Sequence, residues 1–185
     1  MHAVLEVDLQ PVAAVVALHE LVHAGGAVAL LGAGVDRQVD LGPLLDAEHV
    51  LLERQFRYPL GRSIVEFPAG KIDPGEPPFE CARRELFEET GYTARRWSHL
   101  GGLHNAIAYS DERIEIYLAE DLERSGDATL DAGETLEVFE APWRQLLEWV
   151  RDGAVTDVKT MVGAFWLERT LRGDWPRRAV SEAGR

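Results

Sequence analysis

The run Pro77-Pro78-Phe79-Glu80-Cys81-Ala82-Arg83-Arg84-Glu85-Leu86-Phe87-Glu88-Glu89-Thr90-Gly91 constrains the fold more than any other part of the chain. Pro77 and Pro78 suit the first turn of a helix, where no amide donor is needed. Gly91 suits the left-handed position that ends one. The sequence therefore predicts a helix over 77–90, with Phe79, Ala82 and Leu86 at i, i+3 and i+7 as its buried stripe. The other face is acidic. Glu85, Glu88 and Glu89 stand at i, i+3 and i+4, so they point one way and lie within about 6 Å of one another. Like charges at this spacing cost about 0.2–0.5 kcal/mol per pair. Anions in the last turn also oppose the macrodipole, by about 0.3–1 kcal/mol each. Arg84, four residues before Glu88, offsets part of this. Three glutamates alone read most simply as a solvated acidic face. A hard dication would reverse the sign of the repulsion, because it binds carboxylate oxygens.

The surroundings of the helix favour the dication. Gly70, five residues, Glu76, seven residues and then Arg84-Glu85-Leu86-Phe87-Glu88-Glu89-Thr90-Gly91-Tyr92 form one spaced pattern. Average residue usage would produce it in about one in 10⁶–10⁷ chains of this length. The pattern resembles the Nudix box at every defined position. That resemblance implies an α/β/α sandwich around a mixed sheet, and hydrolysis of a nucleoside diphosphate linked to another group X. It implies Mg²⁺ as cofactor, with Mn²⁺ as the substitute ion. Glu85 and Glu89 match carboxylates that bind the metal, with Glu88 nearby, directly or through water. Ala69 matches the residue whose backbone carbonyl completes a metal shell. Arg84 matches an arginine that orients the glutamates by a salt bridge, and Gly70 and Gly91 shape the loops.

Residues outside the box narrow the resemblance. Arg54-Gln55-Phe56-Arg57-Tyr58-Pro59 followed by Glu66-Phe67-Pro68-Ala69-Gly70-Lys71 is similar to the ADP-ribose pyrophosphatase branch, which also holds some sugar-nucleotide hydrolases. His23-Ala24-Gly25-Gly26-Ala27-Val28 and Asp157-Val158-Lys159-Thr160 resemble two further segments of that branch. The branch implies that Arg57 contacts substrate phosphate or ribose; the plainer reading is an ion pair with Glu66 on a neighbouring strand. It also implies a glutamate on a mobile loop that positions or deprotonates the attacking water. Glu134, rather than Asp131 or Glu137, is best placed for this, unless it is a solvated loop acid. One departure is the lack of a Ser-Pro-Gly segment: the chain has Ala108-Tyr109-Ser110-Asp111-Glu112 instead. A tyrosine in this region accompanies dinucleoside polyphosphate specificity in some Nudix groups, so Tyr109 points that way or simply packs.

Charge and cysteine content set the outer limits. A net charge of −13, from 32 acids and 19 bases, repels DNA, RNA and anionic membranes, so neither nucleic acid nor membrane is an expected partner. A phosphate substrate needs a local cation against this field. One cysteine, Cys81, excludes an internal disulfide or a multi-cysteine zinc site and fits a reducing cytoplasm. Neither a signal peptide nor a membrane span is expected. His19, His23, His49, His99 and His104 lack ligand spacing. Residues 27–31, 50–56, 63–67, 102–103, 114–118 and 136–140 read as strands, and 143–152 and 158–171 as helices. Residues 32–46 and 121–133 read as loops, and 175–185 as a frayed tail. Strands and helices mix without strict alternation, giving an α+β or three-layer α/β/α class in a single domain. The apolar segment 4–18 is too apolar for a free arm. It suits N-terminal strands (about 1–22) packing across a homodimer, as the branch implies. Two non-catalytic readings remain: a nucleotide-binding regulator, and a scaffold with an acidic helix.

Overall fold

The computed structural model describes residues 37–108, 110–130 and 135–180. The expected strands at 4–18 and 27–31, the N-terminal dimer strands, Tyr109, Asp131 and Glu134 lie outside the described residues.

Eight strands and three α-helices are described: β1 (Arg37–Pro43), β2 (His49–Arg57), β3 (Arg62–Glu66), β4 (Ala69–Lys71), α1 (Pro78–Thr90), β5 (Tyr92–His104), β6 (Arg113–Arg124), β7 (Leu136–Pro142), α2 (Trp143–Arg151), α3 (Val158–Leu171) and β8 (Ala179–Val180). A five-stranded sheet runs β4-β1-β6-β5-β8, and a three-stranded sheet runs β3-β2-β7. β1 pairs with β6 in parallel and with β4 antiparallel, so the larger sheet is mixed. Its two faces follow the period-2 alternation of strand side chains. Val39, Leu41, Tyr117 and Ala119 pack with Cys81, Ala82 and Leu86 of α1. Leu118 packs with Ala164 and Leu167 of α3. The helices thus cover opposite faces of one sheet, the mixed α/β layering expected from the sequence.

Three segments differ from what their sequence suggests, and one short strand has no sequence signal. The segment 32–46 was expected as loop because of its glycines and aspartates, yet Arg37–Pro43 is the strand between β4 and β6. Its Asp40 is completely buried, which hides the apolar alternation of Val39 and Leu41. The expected loop 121–133 begins later, because β6 continues to Arg124 against β5. Its acids there pair across the ladder: Arg96 Nε donates to Asp121 at 2.5 Å and Arg95 Nη2 to Glu123 at 2.7 Å. The expected tail contains β8, whose Ala179 and Val180 pair with Ser98 and Trp97. Three-residue β4 has no sequence period to reveal it.

Candidate active site

Pro77 caps α1 in extended conformation, and Gly91 ends it at φ 74° with its N–H donating to Phe87 O at 2.8 Å. Cys81, Ala82 and Leu86 are fully buried, and Phe79 is half-buried with its ring edge on Trp97 at 5.7 Å. The Cys81 thiol lies in this apolar layer, where burial and the Glu76 charge push its pKa up, so it packs rather than reacts. Anchoring this stripe turns the acidic face toward β4 and β2.

Arg84 organises that face. Its Nε and Nη2 donate to the two oxygens of Glu76 at 2.9 Å each. Its Nη1 donates to Glu85 at 2.7 Å and to Glu88 at 2.9 Å, the i, i+4 contact expected from the spacing. Nη2 also reaches the Lys71 carbonyl at 3.2 Å, tying the helix to β4. Glu76 is held below the usual carboxylate range by Arg84. Glu85 is shifted the other way: burial raises its pKa and Arg84 offsets only part.

Glu85 and Glu89 converge on Ala69 and Gly70 of β4. The Ala69 N–H donates to Glu89 Oε2 at 2.9 Å. A Cβ on Gly70 would stand 1.8 Å from the Glu85 carboxyl carbon, so glycine is what admits that carboxylate. Glu89 is only 5% exposed. Burial, followed by the charge and hydrogen bond of Glu53, moves its pKa well above the usual carboxylate range. Two buried acids in contact must share a proton or a cation. A divalent ion taken up by Glu85 and Glu89 would offset this crowding of buried carboxyl groups.

Gly70→Ala should keep the fold, because the obstructing group is the movable end of a side chain. It should displace Glu85 and lower turnover by roughly 10–100-fold, as loss of a group supporting a metal ligand does. Steady-state assays beside a thermal melt check this; normal turnover would remove Gly70 from the site.

The structure also shows acids that the sequence reading passed over. Glu53 on β2 is 2% exposed and stands opposite Glu66 of β3. The signal was an acid directly after the apolar run Val50-Leu51-Leu52 in the same strand, a position where a buried charge needs a partner. Asp40 and Lys159 are buried nearby. Arg57 makes the plainer contact foreseen for it: Nε and Nη2 donate to Glu66 at 2.6 and 2.8 Å. Its side chain keeps 41% exposure, so it still meets solvent.

The loop toward residue 134 is less free than its composition suggested. Ser125 and Gly126 N–H donate to the Gly91 carbonyl at 2.9 and 3.2 Å, and Thr129 N–H to Glu88 O at 2.7 Å. Gly91 must be glycine here, since a Cβ would lie 2.4 Å from Gly126 O. The loop is therefore fastened to the end of α1 at least as far as Thr129. Glu137 donates nothing to the site: it is exposed and pairs with Arg54 at 2.6 Å. His49 and His99 pair with Asp46 and Glu115, in keeping with their lack of ligand spacing.

Comparison with known proteins agrees with this geometry. The family pattern described as NUDIX domain matches residues 36–161. An ADP-ribose pyrophosphatase of Bacillus subtilis (strain 168) is 36% identical over 150 residues, 80% of this chain and 75% of that protein. A GDP-mannose pyrophosphatase of Cronobacter sakazakii (strain ATCC BAA-894) is 33% identical over 126 residues, 63% of this chain and 65% of that protein. A crystal structure of an ADP compounds hydrolase superposes with a TM-score of 0.68 at 27% identity, over 75% of this chain and 74% of that one. This match and these relatives, with helix-borne glutamates facing Ala69 and Gly70 of β4, mark the chain as a pyrophosphohydrolase. The chain belongs to the Nudix family.

Proposed function

We propose that the protein is a Mg²⁺-dependent ADP-ribose pyrophosphatase, converting ADP-ribose and water to AMP and ribose 5-phosphate. The observation that carries this reading is the approach of Glu85 and Glu89 to Gly70 and Ala69. The similarity to a Bacillus subtilis protein of that name supports the choice of substrate. Mg²⁺, or Mn²⁺ in its place, would be held by Glu85, Glu89 and the Ala69 carbonyl, with Glu88 nearby. When bound, the ion neutralises charge on the diphosphate and acidifies water. Arg84 keeps Glu85 and Glu88 oriented through the hydrogen bonds above. Arg57, with guanidinium N–H groups left over from its pair with Glu66, binds phosphate or ribose by charge-assisted hydrogen bonds. Together these cations oppose the field of a chain with net charge −13. Phe56 and Tyr58, 55% and 88% exposed on either side of Arg57, offer an apolar surface for a base. Glu134 orients the water and accepts its proton.

The test is a substrate panel of ADP-ribose, GDP-mannose, NADH, Ap₄A and FAD. ADP-ribose should give the highest kcat/KM. A preference for Ap₄A by more than about tenfold, or roughly 1.4 kcal/mol, would make Tyr109 the better guide. The GDP-mannose pyrophosphatase among the relatives makes GDP-mannose the second reading. A nucleotide-binding regulator is disfavoured by the complete Glu85, Glu88 and Glu89 set.

We also assign a homodimer, on the apolar segment 4–18, and a cytoplasmic location, on the single cysteine. Among the described residues no helix is long and apolar enough to cross a membrane. Light scattering at micromolar concentration should report a dimer; a monomer-sized particle would contradict the assignment.

A further inference from the structure

Behind Arg57 lies a second charged network, built by α3 rather than by the box. Lys159, in the first turn of α3, is 6% exposed. Its ammonium donates to Glu66 Oε2 at 2.6 Å and to Asp157 Oδ2 at 2.9 Å. Glu66 is itself 2% exposed and accepts the two-pronged contact from Arg57. Glu66 Oε2 therefore serves Arg57 and Lys159 at once. The same helix turn is fixed in place. Asp157 caps it by accepting from the Thr160 N–H at 2.9 Å and from the Thr160 hydroxyl at 2.7 Å. The Phe67 N–H in turn donates to Thr160 Oγ1 at 2.9 Å.

Burying this much charge is costly unless each group is paired. Glu53 stands opposite Glu66 in the ladder, an arrangement of like charges that destabilises a strand pair. Asp40 is completely buried, and neither of its carboxylate oxygens has a hydrogen-bond partner among the described residues. Burial pushes the Asp40 carboxyl well above the usual carboxylate range, and the Lys159 charge works against that shift. One buried cation thus sits among Asp40, Glu66 and Asp157, and Glu66 passes its position to the arginine at the surface. A carboxylate gripped on one side presents a fixed edge on the other. The fork of a guanidinium follows that edge.

We propose that Lys159 is a positioning residue: its ammonium clamps Glu66, and Glu66 aims the Arg57 guanidinium at substrate phosphate or ribose. This rests on the reading of Arg57 as a substrate contact.

A kinetic cycle with ADP-ribose tests it. The variants are Arg57→Gln, Lys159→Met/Asp40→Asn, and all three changes together. Asp40→Asn accompanies Lys159→Met because burial already pushes the Asp40 carboxyl up, and loss of Lys159 would remove the cation that offsets that burial. Arg57→Gln should raise KM roughly ten- to hundredfold, as loss of hydrogen bonds to a charged group does. Lys159→Met/Asp40→Asn should raise KM at least about fivefold with kcat within about threefold. Against the Arg57→Gln background it should change KM by less than about twofold, because contacts acting through one residue are not additive. An equal KM increase in both backgrounds, an unchanged KM, or a loss confined to kcat overturns the positioning role. An unchanged KM in Arg57→Gln overturns the substrate reading of Arg57 instead.

Should Lys159→Met/Asp40→Asn lose its cooperative melt, Glu66→Gln takes its place in the cycle. A KM increase seen only while Arg57 is present supports the relay; an equal increase in both backgrounds, or none, overturns it. A wild type inert on ADP-ribose overturns the substrate assignment, and the same cycle is then read with GDP-mannose.

Discussion

Glu89→Gln is expected to abolish most turnover, by more than the roughly 10–100-fold typical of losing a hydrogen-bond partner of a metal ligand. Glu89 is buried, accepts the Ala69 N–H and touches Glu53. The amide keeps its shape and removes its charge, so Mg²⁺ affinity should fall with activity while the fold survives. Stability should respond in the opposite direction. The folded pKa of Glu89 lies above its ordinary value of 4.5, because of burial first and Glu53 second. The stability such a group contributes is present below its unfolded pKa and lost as pH rises toward the folded one. Metal-free wild type should therefore lose melting temperature as pH climbs above about 4.5. Glu89→Gln cannot ionise and should lose less. Mg²⁺ should restore the wild type at neutral pH and leave the variant unmoved. Normal turnover in Glu89→Gln would remove the metal assignment.

Glu134→Gln is expected to lower kcat by about 10²–10⁴-fold, the usual contribution of a general base, with KM and melting temperature nearly unchanged. The carboxylates on α1 are engaged by Arg84 and the Ala69 N–H, and the proposed metal would engage them further, so the proton of the attacking water needs another acceptor. The chain leading to residue 134 is fastened to the carbonyls of Glu88 and Gly91. The chain leaving it enters β7 at Leu136, which pairs with Gln55, two residues from Arg57. Glu137→Gln should cost much less, since its carboxylate is exposed on Arg54, and so should Asp131→Asn. Activity of Glu134→Gln within about threefold of wild type would move the base elsewhere, first to Glu88.

The site helix was legible because its signals are local. Prolines at its start, a glycine at its end and glutamates at i, i+3 and i+4 need no tertiary information. Arg84 and Glu88 met as the spacing required. What escaped was the burial of Asp40 and Glu53 and the approach of Lys159 to Glu66, which the sequence offered only as a partner of Arg57. Asp40, Glu53, Glu66 and Lys159 come from β1, β2, β3 and α3, and only packing brings them together. Asp40 also disguised its own strand, since a buried aspartate beside Gly42 reads locally as loop. The ends of β6 and the presence of β8 depended on pairing partners distant in sequence. Arg57 shows the remaining limit: the sequence offered two partners for it, and the structure pairs it with one, Glu66.

The most direct measurement is of the products formed from ADP-ribose with Mg²⁺ and with EDTA. AMP and ribose 5-phosphate should appear in equal amounts when Mg²⁺ is present, and both should be lost when the metal is chelated. Cleavage at the same rate in EDTA, or none of any panel substrate in Mg²⁺, would contradict the proposed function.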